Sequence, residues 1–298
     1  MRRSLNIGLI GAGTLGKSLA LGLTMVGYRV ALVASRTPST AKALAESIPG
    51  CRYVDSYQKL ANQSDLVFIT TPDEVISKIA SEVQWTASQG VVHCSGEGSL
   101  NLLLPAAHLG ARCGLMHPFQ TFAGVYAAAQ ALDRFQGTTF ALEADGWLLE
   151  ALERIVSDLG GKVVKLKSED RGLYHASAVM SCGYLVALLK ASTEIWENLG
   201  FTKEEGALAI LTIAKATIEN ALTLGLEKSV TGPLMRGDVE TFTKDLEAIR
   251  SRLPRLLPLY LALSRASVPL VRCRIRGDKL RHVEERLAIF LEETSPHN

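Results

Sequence analysis

Apolar residues fall in two kinds of pattern along the first half of the 298-residue chain, and in one kind along the second. LNIGLI (5–10), YRVALVAS (28–35) and DLVFITT (65–71) are short runs with little polar interruption. Such runs predict strands buried on both faces, because helices covering a parallel sheet on each side leave it no wet face. VVHCS (91–95), ARCGLMH (111–117), TTFALE (138–143) and KVVKL (162–166) extend the series. Between them, helical spacing predicts helices over 17–26, 40–47 and 146–159. Thr71-Pro72-Asp73-Glu74 reads as a further helix start, with a threonine cap, proline at the first position and glutamate placed for a capping box. After residue 167 the strand runs stop. Thr202-Lys203-Glu204-Glu205 predicts a capping box opening a helix to about residue 224. Gly232-Pro233 breaks the pattern. Further helices are expected from about residue 240 to just before Pro254, and over 280–293. The rhythm predicts a doubly wound α/β domain over 1–168, followed by an all-helical domain over 169–298.

Composition narrows the classes. The chain is 47% hydrophobic and 21% charged, enough apolar residue for a sizeable core. A formal net charge of +2 gives no ground for a nucleic-acid partner. The basic patch between Arg272 and Arg281 reads as a solvated surface or a phosphate contact. Cys51, Cys94, Cys113, Cys182 and Cys273 are scattered and form no CxxC, so neither a disulfide framework nor a metal site is expected, and a reducing, cytoplasmic setting fits. The apolar run after Met-Arg-Arg-Ser reaches glycine too soon for a signal-peptide core. No stretch near Leu185 or Leu208 is expected to give 18 residues free of charged and polar interruption, so no membrane span is expected.

The candidate chemistry starts at Gly11-Ala12-Gly13-Thr14-Leu15-Gly16. This GxGxxG follows a strand and opens a helix, the context of a dinucleotide-binding Rossmann turn. Gly11 makes the tight turn, Gly13 admits a pyrophosphate, Gly16 lets helix and sheet approach, and the free N–H groups of the helix start face the phosphates. Where an NAD site usually has a carboxylate, the end of the second strand has Ser35-Arg36-Thr37. Arg36 can grip a 2′-phosphate with two donors and the hydroxyls can add to it, so NADP is preferred over NAD, with FAD less favoured. Thr70, Thr71, Pro72 and Ser95 end later strands on the side where such cofactors lie. His117-Pro118 ends another strand and should fall near a substrate, whereas His93 lies inside a strand and reads as packed. His175, at the start of the first helix past the boundary, is the first candidate for proton delivery to a small substrate; His117 is the second. Arg236 and Asp238 form a polar turn in which Arg236 could clamp a carboxylate or phosphate and Asp238 could orient it or cap the next helix.

GLIGAGTLG, GLMHPFQTFAG, LYHASAVMSCGYLVAL and TGPLMRGD together make nearly the whole chain resemble Rossmann-like proteins with a DUF2520 domain. These are relatives of the F420-dependent NADP oxidoreductases, pyrroline-5-carboxylate reductases and 6-phosphogluconate dehydrogenases. The resemblance implies a helical half like the 6-phosphogluconate dehydrogenase C-terminal domain, which commonly makes a homodimer and helps form the active-site cleft. It also implies an NADP(H)-dependent oxidoreductase acting on a small carbonyl, imine or alcohol. Against the family pattern YHAAAVFASN, Tyr174-His175-Ala176 is kept, but Gly183 stands where asparagine is usual; Ser177 or Ser181 could replace that amide. The departure leaves a second reading open, a dinucleotide-binding sensor or structural dimer without chemistry.

Overall fold

The computed structural model describes residues 5–272, 274–275 and 277–294. The Met-Arg-Arg-Ser opening, Cys273, Arg276 and residues 295–298 lie outside the described residues. The chain divides into two compact units, Met1–Cys182 and Gly183–Asn298.

The first unit is built on one eight-stranded sheet. Its strands are β1 (Asn6–Ile10), β2 (Arg29–Ala34), β3 (Arg52–Tyr53), β4 (Leu66–Ile69), β5 (Gly90–His93), β6 (Arg112–Pro118), β7 (Thr139–Glu143) and β8 (Lys162–Lys165). Their order is β3-β2-β1-β4-β5-β6-β7-β8. All neighbours pair in parallel except β6 and β7, which are antiparallel and join Leu115 to Glu143 and His117 to Ala141. The chain reverses direction of travel across the sheet between β1 and β4, and in open sheets of this kind ligands bind beyond the strand ends at such a switch point. The apolar runs are buried as their lack of alternation requires: β4 and β5 are buried at every position. Two hydrophobic clusters flank the sheet, one containing Leu9, Phe68, Phe135 and Phe140, the other Ile10, Val67, Ile76 and Trp85.

Three local expectations change. The helix after β1 starts at Thr14 and runs to Met25, three residues earlier than its periodicity suggested, because its first turn is the glycine loop itself. The helix after β4 is Asp73–Glu82, with Pro72 at its cap position and no side-chain cap. Starting one residue late, it leaves Thr71 outside, and the Thr71 hydroxyl has no hydrogen-bond partner. The expected threonine capping box therefore does not form. Finally β3, Tyr57–Ala61 and the long helix Leu257–Arg272 carried too little periodic signal to be predicted.

The second unit is helical. Its main elements are Gly183–Asn198, Lys203–Leu224, Val239–Arg252, Leu257–Arg272 and Asp278–Thr294. The capping box forms as expected: Thr202 Oγ1 accepts from Glu205 N–H, and Glu205 accepts from Thr202 N–H. A small core of Phe242, Leu246, Leu257, Leu261, Leu287 and Phe290 joins the last three helices. The Lys203–Leu224 helix buries only Gly206; Leu208, Ile213 and Leu222 are 71%, 65% and 83% exposed. Contrary to the sequence expectation, two helical stretches, Ser168–Asn198 and Lys203–Leu224, are long and apolar enough to cross a membrane by length and composition. The first passes despite His175 and its serines because the window from Gly172 to Leu189 holds no Asp, Glu, Lys or Arg.

Candidate functional site

The glycine loop has the geometry of a phosphate cradle. Gly11 sits at φ +109°, where L side chains are strained. Its N–H donates to Ala34 O at 2.8 Å, and Thr70 Oγ1 donates to its carbonyl at 2.8 Å. Thr70 thus ties the loop to the end of β4. Gly16 packs onto this tie, its Cα facing the Gly11 carbonyl and the Thr70 hydroxyl. Gly13 differs: a Cβ there would meet nothing within 4 Å. It caps the Thr14–Met25 helix with extended backbone and no side chain. The first-turn N–H groups of Thr14, Leu15 and Gly16 thus receive no side-chain cap from Gly13, and the positive end of the helix dipole lies behind them. The space beside Gly13 and the unpartnered Thr71 hydroxyl both fit a bound dinucleotide. Ser35, Arg36 and Thr37 follow β2 directly. Arg36 is exposed and makes no side-chain hydrogen bond or ion pair among the described residues, which leaves its guanidinium free for a phosphate.

The next strand ends build a polar cluster. Ser95 Oγ donates to Asp73 Oδ2 at 2.5 Å and accepts from Gly98 N–H at 2.7 Å, which fixes the loop after β5. The Ser95 hydroxyl is thus committed to holding this loop. His93 is fully buried. Its Nδ1 accepts from Ser95 N–H at 3.2 Å and its Nε2 lies 3.2 Å from Ser99 O, so its proton sits on Nε2. Burial pushes its pKa down to about 4. His93 is a packed residue that shapes the loop.

His117, near the end of β6, and His175, on the helix Arg171–Ser181, come together at Gly96. A Cβ on Gly96 would lie 2.9 Å from His117 Nε2 and 3.1 Å from His175 Cδ2. The other ring nitrogen of His117, Nδ1, is 2.8 Å from the Tyr174 hydroxyl. The two rings pack edge to face, and Phe119 packs on Tyr174 at 5.1 Å. Burial is the main reason the His117 pKa falls to about 4; His175 and Arg171 push it the same way. Burial also raises the Tyr174 hydroxyl to about 12. Arg171 is 1% exposed and pairs with Glu143 Oε2 at 2.5 Å, while its Nε and Nη1 have no partner. A cavity of about 390 Å³, lined by Asn101, Arg112, Glu143 and Asp145 among others, contains none of the histidines.

Both candidate histidines therefore sit in one cluster. Tyr174 was the residue not singled out for it; its place beside His175 in the sequence hinted at a site, but nothing local pairs residue 174 with residue 117. Arg236 and Asp238 belong to the second unit. Arg236 ends the short helix Pro233–Arg236 and is exposed. Asp238 caps Val239–Arg252, its Oδ1 accepting from Thr241 N–H at 3.1 Å, and this contact holds its pKa below the usual range. Of the two roles considered for Asp238, capping is the one its hydrogen bond fills. Gly183 has open space where a side chain would project.

Comparison with known proteins accords with this geometry. The family model described as "NADP oxidoreductase coenzyme F420-dependent" matches residues 6–95, and the DUF2520 model, a domain of unknown function, matches residues 138–267. Among solved structures, a candidate NADP oxidoreductase from Bacteroides fragilis is 25% identical, with a TM-score of 0.69 over 88% of this chain and 97% of that one. A protein from Thermotoga maritima is 24% identical, with a TM-score of 0.70 over 91% and 100%. The NADP-bound pyrroline carboxylate reductase of Plasmodium falciparum is 12% identical, with a TM-score of 0.58 over 98% of each chain. No curated protein matches. The chain joins a Rossmann-like half to a DUF2520 helical half, the architecture of the NADP-dependent oxidoreductases and pyrroline-5-carboxylate reductases.

Proposed function

We propose that this protein is an NADP(H)-dependent oxidoreductase that transfers hydride to or from a small polar carbonyl, imine or alcohol. The observation that carries the reading is the pairing of the open phosphate cradle at Gly13 and the free Arg36 with two histidines converging on Gly96. Gly11, Gly13, Thr14, Leu15 and Gly16 would hold the pyrophosphate, with Ser35, Arg36 and Thr37 on the 2′-phosphate. Thr71 and Pro72 line the approach from β4, while Thr70 and Ser95 shape the loops beside it. Bound NADPH would supply the hydride. His117 and His175 would meet the substrate atom that gains or loses the proton. Direct transfer needs about 3 Å contact or one bridging water.

The protein would act in the cytoplasm as a homodimer. The dimer reading is supported by the exposed apolar side chains on Lys203–Leu224, which form more uncovered hydrocarbon than a monomer normally presents to water. These faces also satisfy the length and hydropathy of a membrane span. Charged Lys203, Glu204, Glu205, Lys215 and Glu219 along the same helix favour a protein partner.

Titration of the purified protein with NADPH and NADH, followed by nicotinamide fluorescence, tests the cofactor. NADPH should bind at least tenfold more tightly; equal weak binding of both, or none, refutes the reading. Consumption of NADPH across a panel of keto acids, aldehydes and imines tests the chemistry. One observation favours the rival reading of a sensor or structural dimer: Gly183 in place of the family's asparagine. That reading gains if NADPH binds tightly, no panel member turns over and His175→Ala alters nothing.

A further inference from the structure

We propose that Tyr174 fixes the tautomer of His117, so that His117 presents Nε2–H to a carbonyl oxygen and the site selects neutral ketones or aldehydes over protonated imines. This rests on the oxidoreductase reading and narrows its substrate class.

The inference starts from which His117 nitrogen is committed. Nδ1 is held at 2.8 Å by the Tyr174 hydroxyl, and that hydroxyl makes no other hydrogen bond among the described residues. A phenol O–H is a better donor than an imidazole N–H, and a bare ring nitrogen is a better acceptor than a phenol oxygen. The hydrogen in this contact therefore lies on oxygen, and the ring proton lies on Nε2. The tyrosine cannot swing away easily, since its ring is packed against both His117 and Phe119. Nε2 itself has no partner among the described residues. It is also absent from the sealed, unpartnered polar atoms, which are Thr71 Oγ1, Arg171 Nε and Arg171 Nη1. It is a donor without an acceptor, lying against Gly96 in the loop that follows β5.

The surroundings keep this ring neutral. His117 is faced by Tyr174, His175 and Arg171 from the Arg171–Ser181 helix, by His93 from β5 and by Asp73 from the Asp73–Glu82 helix. Burial, His175, Arg171 and His93 oppose a second proton; Asp73 alone favours one. A fixed N–H donor complements a lone pair, which a carbonyl oxygen has. A protonated imine offers an N–H instead, so two donors would face each other, and the buried Arg171 cation adds repulsion.

In the reductive direction, hydride supplied by the bound cofactor forms the new C–H bond and the C=O π pair moves to oxygen. That oxygen takes the Nε2 proton while Nδ1 takes the Tyr174 proton. His117 ends neutral in its other tautomer, and the negative charge rests on the Tyr174 oxygen, where burial opposes it and the Arg171 charge offsets part of that cost, until water returns the proton. Tyr174 acts here through His117 and is a positioning and relay residue.

Long-range ¹H–¹⁵N correlation spectra of the full-length ¹⁵N-labelled protein test the tautomer without any turnover. His117→Asn identifies the His117 signals. Between pH 6 and 8 the wild type should show Nε2 protonated and Nδ1 bare, and Tyr174→Phe should convert this to a tautomer mixture. A proton on Nδ1 with Nε2 bare, or a doubly protonated ring in that range, overturns the proposal. Rates with matched ketones and cyclic imines test the substrate class: ketones should be favoured at least tenfold, and Tyr174→Phe should lower kcat about 100-fold with KM little changed. Imines reduced as fast as ketones overturn the substrate-class half. Absence of NADPH binding refutes the oxidoreductase reading, and the substrate class with it, while the spectra still decide the tautomer.

Discussion

Two alanine substitutions in the glycine loop should separate a glycine needed by the fold from one needed by the ligand. At Gly16 a Cβ would overlap the Gly11 carbonyl oxygen and come within 2.5 Å of Thr70 Oγ1. Both neighbours are held, one as backbone and the other by its bond to Gly11. Overpacking of this kind costs roughly 1–3 kcal/mol. For a unit of this size each kcal/mol shifts Tm by about 2–4 °C, so Gly16→Ala should lower Tm by about 2–12 °C. At Gly13, φ is −73° and no atom lies within 4 Å of a new Cβ, so alanine fits without strain. The lost conformational freedom of the unfolded chain contributes about 0.4–1 kcal/mol in favour, and alanine at a cap position costs about as much. Gly13→Ala should therefore leave Tm within about 3 °C of wild type. The same methyl would stand where the pyrophosphate approaches, and NADPH affinity should fall at least tenfold, about 1.4 kcal/mol. Differential scanning fluorimetry and NADPH titration measure the two effects on the same samples. A Gly13→Ala protein that binds NADPH normally would refute the placement of the phosphates. A Gly16→Ala protein of unchanged Tm would refute the close packing.

The remaining predictions follow from single contacts. Arg36→Ala should weaken NADPH binding by about 10- to 150-fold, the equivalent of one or more charge-assisted hydrogen bonds, while leaving NADH binding nearly unchanged in the same titration. Glu143→Gln removes the one anion paired with buried Arg171 and should destabilise the first unit by about 3–5 kcal/mol, read by urea denaturation. His93 and His117 have folded pKa values lowered from 6.5 to about 4. The unfolded chain therefore binds more protons between those limits, and stability present above pH 6.5 should be lost as pH falls toward 4, by roughly 3 kcal/mol per histidine. Denaturation midpoints at pH 7.5, 5.5 and 4 check this, and His93→Gln should flatten part of the slope. Thr202→Ala breaks the capping box of the helix Lys203–Leu224 and should cost about 1 kcal/mol by the same assay.

Periodicity alone determined much of this protein. Six of the strands, the glycine loop and the change to helices after β8 were legible because a buried strand needs an apolar run and a phosphate loop needs glycines at fixed spacing; β8, largely exposed, showed only through its Val163-Val164 pair. β3 is only two residues long, and no run of that length rises above chance. The antiparallel entry of β7 was equally invisible, since a strand buried on both faces reads the same in either direction. His117 and His175 could be nominated singly, from a strand end and a helix start. The hold of Tyr174 on His117 spans 57 residues of sequence, and the meeting of the two histidines at Gly96 is equally non-local, so no local pattern encodes either. Charge state was likewise a tertiary matter, because whether a histidine is neutral is set by the side chains packed around it. The sequence determined most of the elements and nominated the loop at which a dinucleotide is proposed to lie. The tertiary structure decided which side chains share a site and which atom of each faces it, because hydrophobic periodicity specifies burial and only packing specifies neighbours.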